Sequence, residues 1–243
     1  MMEWQGEGVL LSVRRHGESA AIIEVLTEGQ GRHAGLVRGG GGRRLAPILQ
    51  PGAQLALGWR ARLADHLGNF TVEPLQARAG IMSDRLALAG LGAVTALAQT
   101  ALAERQPFPA LYRQTVALLD AMEAGAPAWP AHYIDWELAL LAELGFGLEL
   151  ESCALTGAAE GLAWVSPKSG RAVAGGAGAD WADRLLTLPP FLRADAGAAP
   201  ITAADLADGM RLSGHFLNAR LMPALGKTLP PARERLAHLI LRL

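Results

Sequence analysis

Alternation of apolar and polar side chains with a period of two runs through residues 8–75, and it constrains the fold more than any other feature. It is clearest in residues 53–63, where one face is apolar and the other is partly basic. The apolar face comprises Leu55, Leu57, Trp59 and Leu63, and the opposite face Ala56, Gly58, Arg60 and Arg62. This period is typical of a half-buried β-strand and excludes a helix.

Four more β-rich stretches share this region. Val9 opens the first, Ala20–Thr27 the second and Gly31 the third, while Phe70 and Val72 mark the last. Glycine-containing breaks separate them, and no long helix intervenes. Five short strands in so few residues predict a small barrel or sandwich. The OB-fold has this strand count, and its second and third strands and connecting loops bind oligonucleotides.

Beyond residue 80 the pattern becomes helical. We predict one helix from an N-cap at Ser83 to about Arg105, a second from Pro109 to Gly125 and a third from about Pro130 to Gly145. The third should bury Leu138, Leu141, Ala142 and Leu144. A glycine-rich hairpin is expected over residues 157–178. Thr202 and Asp205 form a capping-box-like helix start, and Pro230-Pro231 should open a last helix to Leu243. The predicted class is α+β, with a five-stranded OB-fold domain at 1–79 and an α-helical domain at 80–243.

Charge is distributed unevenly along the chain, although the net charge is −1. Residues 1–80 carry +2, residues 81–208 carry −8 and residues 209–243 carry +5. No acid occurs between Glu28 and Asp65, where Arg32, Arg38, Arg43, Arg44, Arg60 and Arg62 all fall. A local field of one sign attracts polyanions, although a solvated arginine face is the alternative.

Guanidinium groups bind phosphate through two parallel hydrogen bonds, so these arginines indicate a nucleic-acid backbone as ligand. The predicted DNA contacts of the barrel are Arg14, Arg38, Arg43, Arg44, Arg60 and Arg62, with Arg32 at the adjoining edge. Arg211, Arg220, Lys227 and Arg233 would form a second basic surface. Two such surfaces could hold two strands for annealing. Trp59 and Phe70 are assigned to the core, so binding should depend on salt and little on sequence.

Catalytic signatures of the common kinds are missing. The six histidines are scattered, and Cys153 is the only cysteine. We therefore predict no enzyme activity, no metal site and no cofactor. A protein-interaction scaffold working through the helices is the second hypothesis. A nuclease is the third, and it would need clustered carboxylates that the sequence does not show.

Cytoplasmic location is expected, because no signal peptide is recognisable and cysteine is scarce. Residues 86–103 are uncharged, but their alanine, glycine and polar content favours a buried helix over a membrane span. No membrane partner is predicted.

Short motifs along most of the chain resemble the RecO family of bacterial recombination mediators. The motifs are Gly8-Val-Leu-Leu-Ser-Val-Arg-Arg-His-Gly-Glu-Ser19, Ile22-Ile-Glu-Val-Leu-Thr27, Leu36-Val-Arg-Gly39, Leu49-Gln-Pro51, Leu140-Leu-Ala-Glu-Leu-Gly145, Cys153-Ala-Leu-Thr-Gly157 and Arg211-Leu-Ser-Gly-His-Phe-Leu217. Each is weak alone, and their order adds weight.

The resemblance implies an N-terminal OB-fold, a helical domain, and binding and annealing of single- and double-stranded DNA. It also implies RecR and the single-strand-binding protein as partners in loading recombinase, near the nucleoid. Many members hold zinc through four cysteines in the segment after the third helix. Here Thr156 stands where a second ligand would be expected, so a degenerate zinc-ribbon-like insert without zinc is predicted around residues 150–178.

Overall fold

Five strands close into a barrel in the order β1-β2-β3-β5-β4 in a computed structural model, which describes residues 2–63, 65–195, 197 and 199–243. The strands are β1 (Met2–His16), β2 (Ala20–Thr27), β3 (Gly31–Val37), β4 (Gln54–Ala61) and β5 (Asn69–Gln76). All neighbours are antiparallel except β3 and β5, which run parallel. The predicted class, a five-stranded OB-like barrel followed by helices, is confirmed.

Strand β1 is longer than the sequence pattern suggests. Its first half pairs with β4 from Met2 onward, and its second half pairs with β2. The pairing register shifts between Leu10 and Ser12, where a bulge lets Val9, Leu10 and Leu11 all be buried. Leu10 belongs to the barrel core and Val13 packs against it, whereas Val9 and Leu11 are buried outside that cluster.

The barrel interior is filled by inward-facing residues of all five strands. Ile23, Val25, Leu55 and Leu10 are fully buried there, and Trp59 and Phe70 are in the same cluster, as predicted. Leu63 does not continue the apolar face of β4. The strand ends at Ala61, and Leu63 is 53% exposed in the following loop.

Two helices follow the barrel within the first compact unit, Met1–Gly125. A 3-10 turn, Ala79–Ser83, leads into α1 (Arg85–Ala101), and α2 spans Pro109–Glu123. Asp84, one residue after the expected Ser83, is the N-cap of α1, because its carboxylate accepts a hydrogen bond from the Ala87 amide at 2.6 Å. No helix of the described residues is long and apolar enough to cross a bilayer.

The second unit, Ala126–Leu243, is mainly helical. Its elements are α3 (Trp129–Glu143), β6 (Leu162–Val165), β7 (Ala172–Ala174), α4 (Gly175–Gly178), 3-10 turns at Ala179–Arg184 and Pro190–Leu192, β8 (Leu186–Thr187), α5 (Ala203–Phe216), a π-helical turn (Leu217–Leu221), α6 (Met222–Ala224) and α7 (Pro231–Ile240). The predicted hairpin is β6–β7, and the capping box of Thr202 and Asp205 opens α5. Helix α3 buries Leu141 but leaves Ala142 exposed, so the expected stripe is wrong in part.

The units divide after Gly125, so the first one holds the barrel together with α1 and α2. The boundary expected after residue 79 stays a prediction.

Candidate nucleic-acid interface

Four of the predicted arginines line one pocket at an end of the barrel. We call this cavity of about 970 Å³ the basic pocket. Its lining is Val37, Arg38, Arg44, Leu45, Arg60, Ala61, Arg62, Asn69, Phe70, Thr71 and Val72. Strand pairing explains the convergence. Val37 at the end of β3 lies beside Phe70, and Arg60 near the end of β4 lies opposite Asn69 at the start of β5.

The basic pocket has an apolar floor and a charged rim. Val37, Ala61 and Phe70 belong to the barrel core and are almost completely buried, while Leu45 and Val72 are half-buried and pack against the same core. All four arginines of the lining are exposed, as are Asn69 and Thr71. The cavity therefore presents apolar surface inside and guanidinium groups at its edge.

Acids are scarce around this rim. Arg60 pairs with Glu3 at 3.1 Å, but both side chains are mostly exposed, which makes the pair weak. Within the described part of the chain, Arg38, Arg44 and Arg62 make no ion pair, and no acid lines the pocket. Three guanidinium groups thus remain available for an anionic ligand.

The other arginines predicted for the barrel lie elsewhere. Arg43 is exposed in the same loop as Arg44 but does not line the pocket, and Arg14 is exposed on β1. Arg32 does not extend the basic edge, and that expectation is wrong. Its guanidinium donates to the carbonyl of Leu102 at 3.0 Å and to Glu24 at 3.1 Å, which ties β3 to the end of α1.

The C-terminal residues differ in their exposure. Arg211 is exposed and pairs with Asp208 at 2.7 Å, and Lys227 is exposed. Arg220 is half-buried, donates to the carbonyl of Lys168 at 2.9 Å and lies 4.7 Å from the Phe216 ring centre. The hydrogen bond to Lys168 thus holds the loop between β6 and β7 against the π-helical turn that contains Arg220. The contact with Phe216 is a cation–π interaction.

Arg233 was expected in the second basic surface, and this is wrong. It is 5% exposed, and its guanidinium binds the Glu137 carboxylate, with Nε to Oε1 at 2.9 Å and Nη2 to Oε2 at 3.0 Å. Burial works to lower the pKa of Arg233, but Glu137 more than offsets this and raises it. Arg233 is therefore a charged core residue.

The residues around Cys153 do not fit a metal site. No group of three or more His, Cys, Asp or Glu side chains lies close enough to hold an ion in residues 2–63, 65–195, 197 and 199–243. The Cys153 thiol is buried and accepts a hydrogen bond from the Ala174 amide at 3.2 Å. Burial works to raise its pKa, but hydrogen bonds from Thr156 and nearby amides lower the pKa to about 7. One sulfur without further ligands cannot hold zinc.

Sequence reasoning missed an aromatic cluster beneath the pocket. His33 is 3% exposed, and its ring lies 4.8 Å from that of Trp59, 5.3 Å from that of Trp4 and 5.9 Å from that of Phe70. Neither ring nitrogen has a hydrogen-bond partner among the described atoms. Burial, with a smaller effect of Arg105, lowers the pKa of His33 from 6.5 to about 4. The alternation of β3, which places His33 inward with Val37, could have revealed it.

Stability is expected to depend on pH through His33. The unfolded imidazole binds a proton near pH 6.5 and the folded one only near pH 4. The contribution of His33 is thus fully present above pH 6.5, and it falls by about 3 kcal/mol as the pH drops toward 4. Urea unfolding between pH 4 and 8 measures this. His33→Phe should remove this part of the pH dependence, whereas His66→Gln, at an exposed position, should keep it. An unchanged dependence in His33→Phe would contradict the assignment.

Comparisons with known proteins agree with the barrel and the helices. A protein-family model described as Recombination protein O N terminal matches residues 1–78, and a second family model, described as Recombination protein O C terminal, matches residues 82–228. The chain is 57% identical over 242 residues to the DNA repair protein RecO of Cereibacter sphaeroides strain ATCC 17025, with 100% of both chains covered. Identity to the proteins of the same name is 54% for Ruegeria sp. strain TM1040, with 99% of each chain covered, and 51% for Dinoroseobacter shibae, with 100% of this chain and 99% of the relative. The chain therefore belongs to the RecO (recombination protein O) family.

Proposed function

We propose that the chain is a non-catalytic DNA-binding mediator of recombination and repair, and that the basic pocket is its principal DNA contact. The observation that carries this is the convergence of Arg38, Arg44, Arg60 and Arg62 on one cavity that, among the described residues, no acid lines. The names of the relatives, DNA repair protein RecO, support a role in repair.

The pocket favours contact with the sugar–phosphate backbone of DNA. Each planar guanidinium can donate two hydrogen bonds to a phosphate, and contacts to phosphate carry no sequence information. Arg43 is exposed in the same loop as Arg44 and would extend the contact, and Arg14, exposed on β1, remains a further candidate contact. The DNA-binding domain would then comprise residues 1–79, which would bind both single- and double-stranded DNA.

The resemblance supports the finer parts of this proposal. They are annealing of complementary strands, and cooperation with RecR and the single-strand-binding protein in the cytoplasm at the nucleoid. Arg211 and Lys227 are exposed and remain candidates for a second basic surface. Arg220 would join it only by leaving Phe216 and the Lys168 carbonyl.

Titration of a labelled single strand at several salt concentrations tests DNA binding. If Arg38, Arg43, Arg44, Arg60 and Arg62 each neutralise one phosphate, log affinity should fall with log salt with a slope of about −3.5. The triple variant Arg38→Gln/Arg44→Gln/Arg62→Gln should show a slope shallower by about 2 and a lower affinity at low salt.

A variant of equal charge serves as the control. Arg85, Arg113 and Arg184 are exposed and lie outside the pocket, so replacing all three by Gln should leave the slope nearly unchanged. A slope near zero for the unmodified protein would contradict DNA binding and favour a protein-interaction scaffold. Equal losses in both triple variants would mean that net charge, and not the pocket, attracts the DNA.

A further inference from the structure

The basic pocket has more apolar surface than phosphate binding requires. Phosphates need only exposed guanidinium groups, yet here the arginines surround a floor of Val37, Leu45, Phe70 and Val72. The cavity of about 970 Å³ has room for more than one planar heterocycle. An apolar surface that is left open to water beside a charged rim marks a ligand that is apolar at its centre and anionic at its edge.

We infer that the basic pocket takes unstacked nucleobases of a single strand, while the rim arginines hold the flanking phosphates. This inference rests on the proposed function and adds the chemical group that the floor receives. Nucleotides combine a flat, largely apolar base with a charged phosphate, which matches the floor and the rim. Bases in a duplex are stacked inside the helix and cannot reach the floor, so the pocket distinguishes single strands from duplex.

The half-buried side chains of Leu45 and Val72 offer the contact surface for a base, since Phe70 is only 4% exposed beneath them. Asn69 is exposed at the edge and can hydrogen-bond to a base. The Thr71 hydroxyl is already engaged, because it donates to the carbonyl of Gly58 at 3.1 Å. With a single amide at the edge, base identity should matter little.

The surface beyond the pocket limits the length of single-stranded DNA that the barrel can bind. A smaller cavity of about 430 Å³ shares Arg60, Asn69 and Thr71 with the basic pocket, and Glu3 lines it. The next groove along β4 and β5 is lined by Glu7 and Glu73. Phosphates are repelled there, so the strand should occupy the arginine end of the barrel over only a few nucleotides.

Binding of two matched single-stranded oligonucleotides to the full-length protein tests this inference. An oligothymidylate and an abasic strand of equal length carry the same phosphates, so only the bases differ. Only the thymine strand offers bases to the apolar floor, so it should bind about tenfold or more tightly than the abasic strand. Both strands should show the same salt slope.

A matched pair of variants locates the effect. Leu45→Gln should reduce affinity for the thymine strand to near that of the abasic strand, with no change for the abasic strand or for duplex DNA. Ile48→Gln is the control, because Ile48 is half-buried in the same loop, packs against the same core and does not line the pocket. Unfolding midpoints of both variants establish that they are folded.

Each outcome has one meaning. Equal affinity of the unmodified protein for thymine and abasic strands, with a salt slope retained, overturns the base pocket and leaves DNA binding intact. Absence of any salt slope overturns the proposed function itself. An affinity difference that Leu45→Gln and Ile48→Gln both keep would place the bases elsewhere on the protein and also overturn the inference.

Discussion

Replacing Glu137 by alanine is expected to lower the free energy of unfolding by about 3–5 kcal/mol. The Glu137 carboxylate is fully buried and accepts hydrogen bonds from Tyr133 at 2.6 Å, from Ser213 at 2.5 Å and from both Nε and Nη2 of Arg233. Its removal leaves the Arg233 guanidinium charged and buried, with the Met210 carbonyl and the Ser213 hydroxyl among its remaining partners. Urea unfolding followed by circular dichroism measures the loss.

Two further variants separate the buried charge from the lost volume. Glu143→Ala alters an exposed carboxylate on the same helix and should change stability by less than about 0.5 kcal/mol. The double variant Glu137→Met/Arg233→Met removes both charges and should be much more stable than Glu137→Ala, because no unpaired ion remains. If Glu137→Ala is as stable as Glu143→Ala, the buried hydrogen bonds and ion pair of Glu137 contribute nothing to the free energy of unfolding.

The barrel was predictable from the sequence where one face of a strand is buried throughout. β2 has the predicted bounds and β3 begins at the predicted Gly31, because buried and half-buried positions alternate along β3 and along most of β2. The first half of β1 gave no such signal, since Glu3 and Glu7 are exposed and Gly6 has no side chain. The bulge at Leu10 then shifts the pattern by one residue, which a strict period of two cannot represent.

Local signals also located the start of α5 but not the role of α7. The capping box of Thr202 and Asp205 is contained in four residues, so it is legible in the sequence. Arg233 looks like a surface charge because its partner, Glu137, lies 96 residues away. Long-range pairing of this kind leaves no periodicity in the sequence.

The candidate site could be predicted from the sequence only in part, because long-range pairing also decides which arginines meet. An acid-free run of arginines indicated a basic surface, and Arg38, Arg44, Arg60 and Arg62 do meet in one pocket. Their meeting depends on the parallel pairing of β3 with β5, which joins segments more than 30 residues apart. Arg32 fell within the same run, but its alternate position along β3 turns it toward Glu24 and Leu102. The apolar floor was assigned to the core and was not recognised as a ligand surface.

Gly31→Ala is expected to cost about 2–5 kcal/mol, which combines the left-handed backbone conformation of an L-residue with a steric overlap. Gly31 has a φ of +63° at the start of β3, and a Cβ atom there would overlap the backbone carbonyl of Gln106. The loop between α1 and α2, which contains Gln106, is fixed to the barrel, because the Arg105 amide donates a hydrogen bond to the carbonyl of Arg32 at 2.7 Å. The barrel and the segment joining α1 to α2 would therefore have to separate.

Gly29→Ala is the matched control in the same turn. Gly29 is exposed, and a Cβ atom there would lie more than 4 Å from any described residue other than its two chain neighbours, so the substitution should change stability by less than about 0.5 kcal/mol. Neither glycine lines the basic pocket, so Gly31→Ala protein that remains folded should keep the salt slope of DNA binding. Equal urea midpoints for the two variants would show that the contact between Gly31 and Gln106 is loose enough to admit a methyl group.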